Sequence, residues 1–152
     1  MKIADVIHED LILPQLRARD GLEAIRELGS FLAEHHETVG EEEAIHALAE
    51  RERLGSTALA EDLAIPHAKL DRVPGLVACF GRSPKGIDFG SPNGERTHFF
   101  FVLLAPESAP GAHLKALARI SRLFRDAGFR ARLMAARTAN EMYEIIAAQD
   151  AE

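Results

Sequence analysis

The sequence predicts an α/β sandwich, a mixed β-sheet flanked by helices on both faces. Three observations lead there. Helical periodicity marks both ends of the chain, short apolar runs broken by Pro, Gly and Asn fill the middle, and Phe99 to Leu104 shows no polar alternation. The first helix follows Asp20, with Leu22, Ile25, Leu28 and Leu32 at helical spacing and Asp20 with Glu23 as a capping box. A second helix is expected over 41–53, because Glu41, Glu42 and Glu43 suit its positive end and Arg51 and Arg53 its negative end. Strands are then expected at Leu63 to Ile65, Leu76 to Phe80, Ile87 to Phe89 and His98 to Leu104, with a turn at Asn93-Gly94. The uninterrupted Phe99 to Leu104 run reads as a central strand covered on both faces. After the loop Pro106 to Gly111, Leu114, Leu117, Ile120 and Phe124 repeat as a helix. Thr138 with Glu141 caps another ahead of Met142, Ile145 and Ile146. With no repeat, low-complexity tract or linker, residues 1–152 read as a single domain.

Composition narrows the function. The 152 residues are 47% hydrophobic and carry a formal charge of -6 without a long basic run, which argues against a nucleic-acid partner. The longest apolar run, Phe99 to Ala105, is too short to span a bilayer and no signal pattern opens the chain, so a cytoplasmic protein without membrane insertion is expected. Cys79 is the only cysteine and sits among Val77, Ala78 and Phe80, so it reads as a buried structural thiol.

The chemistry concentrates in Arg51 to Leu70, RERLGSTALAEDLAIPHAKL. An imidazole is substantially unprotonated near neutral pH, so His67 can act as a nucleophile while its second nitrogen is held by a hydrogen bond. Pro66 fixes its own φ and pushes Ile65 toward an extended conformation, and would present His67 rigidly at a strand end. In-line phosphoryl transfer needs that kind of positioning, together with cations and donors for the equatorial oxygens. Arg51, at the end of the second helix, and the hydroxyls of Ser56 and Thr57 are candidate phosphate contacts. The competing reading of Arg51 is dipole complementarity or a salt bridge with Glu52. His113 opens a helix after the Pro/Gly loop, where free backbone N–H groups favour anions, and is a second phosphate-site candidate. Gly55-Ser56-Thr57 lacks the lysine context of a nucleotide-binding loop, and the remaining histidines, His35-His36 included, show no ligand spacing. No cofactor and no metal are expected.

RERLGST, then His67 ten residues after Thr57 in the context AIPH, then HLKALARISRLFRD from His113, resembles the enzyme IIA domain of the fructose, mannitol and nitrogen-regulatory class of the bacterial phosphotransferase system. The resemblance covers nearly the whole chain and is greatest to the nitrogen-regulatory (PtsN-like) branch. It implies the enzyme IIA fructose/mannitol-type sandwich and a phosphotransferase component with a phosphohistidine intermediate. In that reading His67 accepts the phosphoryl group from HPr or its nitrogen-branch equivalent, and His113 orients it without being phosphorylated. The downstream partner would be a regulatory target protein or, in a sugar-transport enzyme IIA, an enzyme IIB. A third reading keeps the fold as a binding module without phosphotransfer.

One stretch departs from the family pattern. Where relatives carry a GIGNGI-like run, this chain has Ala58-Leu59-Ala60-Glu61-Asp62-Leu63. Alanine is costly where glycine takes positive φ, although Asp62 tolerates that region better than most residues. The loop is therefore expected to take its own course. Glu61 and Asp62, if turned toward His67, would oppose a dianionic phosphoryl group and shift the transfer equilibrium.

Overall fold

The computed structural model describes residues 2–151. Two short 3-10 turns, Ile3–Asp5 and Glu9–Leu11, lead into strand β1 (Ile12–Leu13) and helices α1 (Gly21–His35) and α2 (Glu41–Arg53). Strands β2 (Ala58–Leu59), β3 (Leu63–Ala64), β4 (His67–Lys69), β5 (Val77–Ile87) and β6 (Thr97–Ala105) follow. Helices α3 (Pro110–Leu123), α4 (Ala127–Ala135) and α5 (Ala139–Asp150) complete the order. The sheet is mixed, ordered β1-β5-β6-β3-β2, with β4 also paired to β6.

β6 is the axis of the sheet. It runs antiparallel to β5 and parallel to both β3 and β4, so the 63–69 segment lies along one edge of it. Phe99 to Leu104 are fully buried, as the absence of polar alternation requires. The two faces are covered by different elements. Phe80 and Phe99 pack on Phe124, with centroids 6.0 and 5.6 Å away, and Phe124 packs on Phe129 of α4 at 5.1 Å. On the other face, Cys79 and Gly81 meet α1: the Cys79 thiol lies 3.8 Å from the Leu28 carbonyl, and a Cβ on Gly81 would stand 2.8 Å from Leu28 Cδ2. Burial raises the Cys79 pKa far above the usual thiol range, which leaves it an inert core side chain.

The helices differ from the sequence reading in instructive details. Leu22 is 53% exposed, because α1 turns Ala24, Ile25, Leu28, Gly29 and Leu32 inward and leaves Leu22 at the rim. α2 packs so closely on α1 that a Cβ at Gly29 would stand 2.8 Å from Ile45 Cγ1. Asp20 caps the Glu23 amide, but Glu23 accepts from the Arg19 amide, one residue upstream of the expected capping-box partner. Thr138, Glu141 and Arg137 repeat that arrangement at α5. A single strand, β5, runs from the expected strand at Leu76 to Phe80 as far as Ile87, with irregular pairing between Arg82 and Ile87, and of the expected strand Ile87 to Phe89 only Ile87 is in it. Pro84 and Lys85 are exposed in that irregular stretch, where a missing N–H costs no ladder bond.

Candidate functional site

The end of α2 and the turn after it hold themselves together. Arg51 Nη1 donates to the Gly55 carbonyl at 2.9 Å, and Glu52 accepts from both the amide and the hydroxyl of Thr57 at 2.8 Å. Ser56 Oγ donates to the Phe89 carbonyl at 2.5 Å and accepts from the Ala58 amide. The RERLGST motif is thus a self-bonded helix end. Its hydroxyls face other partners: Ser56 lies toward a second cavity beside Phe89 and Gly90, and neither Ser56 nor Thr57 borders the cavity described next. Ser56 and Thr57, expected as phosphate contacts, are thus bonded within the turn and stand apart from that cavity. Nor does Arg51 pair with Glu52.

A cavity of about 700 Å³ opens between the last turns of α2, strand β4 and the start of α3. Its polar lining is His67, His113, Arg51, Lys69 and Glu50, and Ala47, Leu54, Ala68, Leu114 and Leu117 supply apolar walls. Three of the five residues singled out in the sequence, His67, His113 and Arg51, meet here. Lys69 and Glu50 were not anticipated. Strand alternation carries the signal for Lys69, two residues after His67 and so on the same face, while Ala68 between them is buried. Helical spacing carries it for Glu50, since 47, 50, 51 and 54 share one side of α2.

His67 opens β4 opposite Leu103, as its place after Pro66 suggests. The chain before it is pinned from both sides: the Ile65 amide donates to Thr57 and the Leu103 amide donates to Pro66. The His67 Nδ1 lies 2.6 Å from the Ile65 carbonyl. A carbonyl only accepts, so Nδ1 carries the proton, and the neutral ring keeps its lone pair on Nε2. The His113 ring stands edge-on to His67, with centroids 5.0 Å apart and an interplanar angle of 83°. His113 is buried, and its Nε2 has no hydrogen-bond partner. Burial, then the nearby His67 and Lys69, lowers its pKa below the usual histidine value, so it is uncharged at neutral pH. It sits in the first turn of α3, where no residue is acidic.

The departing loop is a three-residue hairpin. Ala58 and Leu59 pair antiparallel with Ala64 and Leu63, and Ala60, Glu61 and Asp62 close the turn. Asp62 has φ 61°, the left-handed position that glycine would otherwise take. Its carboxylate is anchored by His98, accepting from the backbone amide at 2.8 Å and approaching Nδ1 at 2.9 Å. Whether Glu61 and Asp62 turn toward His67, left open by the sequence, is answered for Asp62 by the register. Asp62 lies beside His98 and Phe99 on β6 whereas His67 pairs with Leu103, a separation of roughly 16 Å at about 3.3 Å per residue, beyond a Debye length.

Among the described residues, no group of three or more His, Cys, Asp or Glu side chains is placed to hold a metal ion, and no helix is long and apolar enough to cross a membrane.

Comparison with known proteins agrees with this fold. Residues 5–149 match the family model described as Phosphoenolpyruvate-dependent sugar phosphotransferase system, EIIA 2. The chain is 40% identical over 149 residues to a nitrogen regulatory protein of Bradyrhizobium diazoefficiens, covering 97% of this chain and 95% of that one. The fold matches the nitrogen regulatory protein IIA-Ntr of Neisseria meningitidis with a TM-score of 0.87 at 28% identity, over 95% of this chain and 98% of that one. It also matches enzyme IIAMTL in its complex with phosphorylated enzyme IIBMTL from Escherichia coli, with a TM-score of 0.78 at 25% identity, over 91% and 95% of the two chains.

Proposed function

The chain belongs to the EIIA 2 family of the phosphoenolpyruvate-dependent sugar phosphotransferase system, and we propose that it serves there as a phosphoryl carrier of the nitrogen-regulatory kind. Its phosphorylated residue is His67 and its donor is an HPr-type phosphohistidine protein. The observation that carries this assignment is the Nδ1 contact with the Ile65 carbonyl, which leaves Nε2 as the free nucleophile beside His113 and Arg51.

The step is an in-line exchange between two imidazoles. His67 Nε2 gives its lone pair to phosphorus, the donor N–P bond breaks, and that electron pair returns to the donor ring. The Ile65 carbonyl stabilises the positive charge that develops on the His67 ring, because it already accepts the Nδ1 proton. His113 turns its unpartnered Nε2 to use as an N–H donor to a phosphoryl oxygen, and being uncharged it does not trap the dianion. Arg51 spends one N–H on Gly55 and keeps the rest of its guanidinium for the incoming oxygens.

Incubation with phosphoenolpyruvate, enzyme I and the HPr-type carrier should place an acid-labile phosphoryl group on the protein, absent in His67→Ala. An unlabelled wild-type protein in the presence of active upstream components would refute the assignment. A second reading, passage of the phosphoryl group to an enzyme IIB, is favoured by the likeness to the IIAMTL and IIBMTL pair. Phosphoryl donation from the labelled protein to an enzyme IIB domain separates the two.

A further inference from the structure

We propose that Glu50 sets the phosphoryl-transfer potential of this site, opposing the phosphorylated state so that the protein is a stronger onward donor. The proposal rests on the reading of His67 as the phosphoryl acceptor.

A carboxylate is an unexpected lining for a cavity that must hold a dianion. Glu50 nonetheless borders the same space as His67, one residue before Arg51 on α2. Its charge is only weakly offset. The partner within reach is Arg53 at 3.6 Å, and the two side chains are 50% and 74% exposed, so the pair is largely solvated. Arg51 is turned to the Gly55 carbonyl instead. Across the cavity stands Lys69, which is exposed and has no ion pair among the described residues. Arg51 and Lys69 therefore favour a phosphoryl group on His67, and Glu50 disfavours it.

Transfer from a phosphohistidine donor makes one N–P bond as it breaks another, with no other reactant consumed. Intrinsic bond energies nearly cancel, and the equilibrium follows the difference between the two electrostatic surroundings. At low ionic strength a unit charge acting on a dianion across about 10 Å, the scale of such a cavity, changes that equilibrium about 3- to 10-fold at an effective dielectric of about 50–80, and physiological salt cuts the effect to about 2-fold or less. The direction is fixed by sign: a carboxylate lowers the phosphorylated fraction, and a lysine raises it.

The test is the equilibrium constant for exchange with the phosphorylated HPr-type donor, approached from both directions and read by 31P NMR. At low ionic strength Glu50→Gln should raise the equilibrium constant for phosphorylation about 3- to 10-fold. Lys69→Gln should lower it, the double variant should return close to wild type, and high salt should compress every difference. Glu50→Asp, which keeps the charge, should behave as wild type; this distinguishes electrostatics from packing. If wild type is labelled on His67 but Glu50→Gln leaves the constant unchanged or lowers it, the role of Glu50 is overturned while the carrier assignment stands. If wild type takes no phosphoryl group, both fall.

Discussion

The ring planes of His67 and His113 meet at 83° with centroids 5.0 Å apart, although the residues lie on different elements, β4 and α3. One ring presents its edge to the other, and in the proposed transfer His113 is the donor that orients the phosphoryl group at Nε2. His113→Ala is expected to slow phosphorylation by about 10²-fold, the usual cost of one oriented donor, with the far-UV circular dichroism of wild type retained. Unchanged transfer kinetics in a folded His113→Ala protein would remove His113 from the mechanism.

The same burial that orients His113 makes stability depend on pH. Its folded pKa lies below the usual 6.5, through burial first and then through His67 and Lys69. Below 6.5 the unfolded chain binds a proton that the folded chain resists, so this contribution to stability is present above 6.5 and is lost as the pH falls through the lowered folded value. His36 is lowered too, again mainly by burial, and acts in the same direction. Urea midpoints measured from about pH 7.5 to about pH 5.5 should therefore fall in wild type and fall less in His113→Gln. Parallel profiles would mean that His113 takes up its proton equally in both states.

Asp62 offers a prediction in which stability and activity separate. It holds a left-handed turn position and ties the hairpin to His98, so Asp62→Ala loses both a tolerated φ and the carboxylate contacts, at about 1–3 kcal/mol. Replacing Glu61 with Asn and Asp62 with Gly should recover the backbone term and leave the phosphotransfer equilibrium where it was. A shift of the phosphorylated fraction in that double variant would restore the direct electrostatic influence read from the sequence.

That reversal marks where the sequence was legible. Periodicity and charge located α2 at 41–53 because helix-end electrostatics are local, and AIPH located His67 at a strand end because Pro66 constrains its own neighbours. α4 escaped because a nine-residue helix with Phe129 and Leu133 as its buried positions carries little periodic signal. β5 was read as two strands because Pro84 punctuates a strand that continues through an irregular stretch. In the site, Glu61 and Asp62 are close to His67 in sequence but far along β6, whereas Glu50 and Lys69 border its cavity through the faces of α2 and β4. Register and helix face decide such proximity, and neither is visible until the elements are placed.

Arg51 and Ser56 belong to one motif yet face different ways, and their variants should differ accordingly. Ser56→Ala removes the bond to the Phe89 carbonyl and the acceptor for the Ala58 amide, which should cost about 1–2 kcal/mol of stability with no change in phosphorylation rate. Arg51→Ala should do the opposite: its bond to Gly55 is exposed and contributes little, but the cavity loses a cation, slowing transfer by about 10²-fold. Arg51→Lys should recover only part of the rate, because an ammonium supplies charge without the planar fork that can serve Gly55 and a phosphoryl oxygen together. The discriminating measurement pairs a single-turnover phosphorylation rate with a denaturant midpoint for each variant. Equal slowing in Ser56→Ala and Arg51→Ala would place the Ser56 hydroxyl on the phosphoryl group during transfer, and the turn after α2 would then have to release Phe89 when the donor docks.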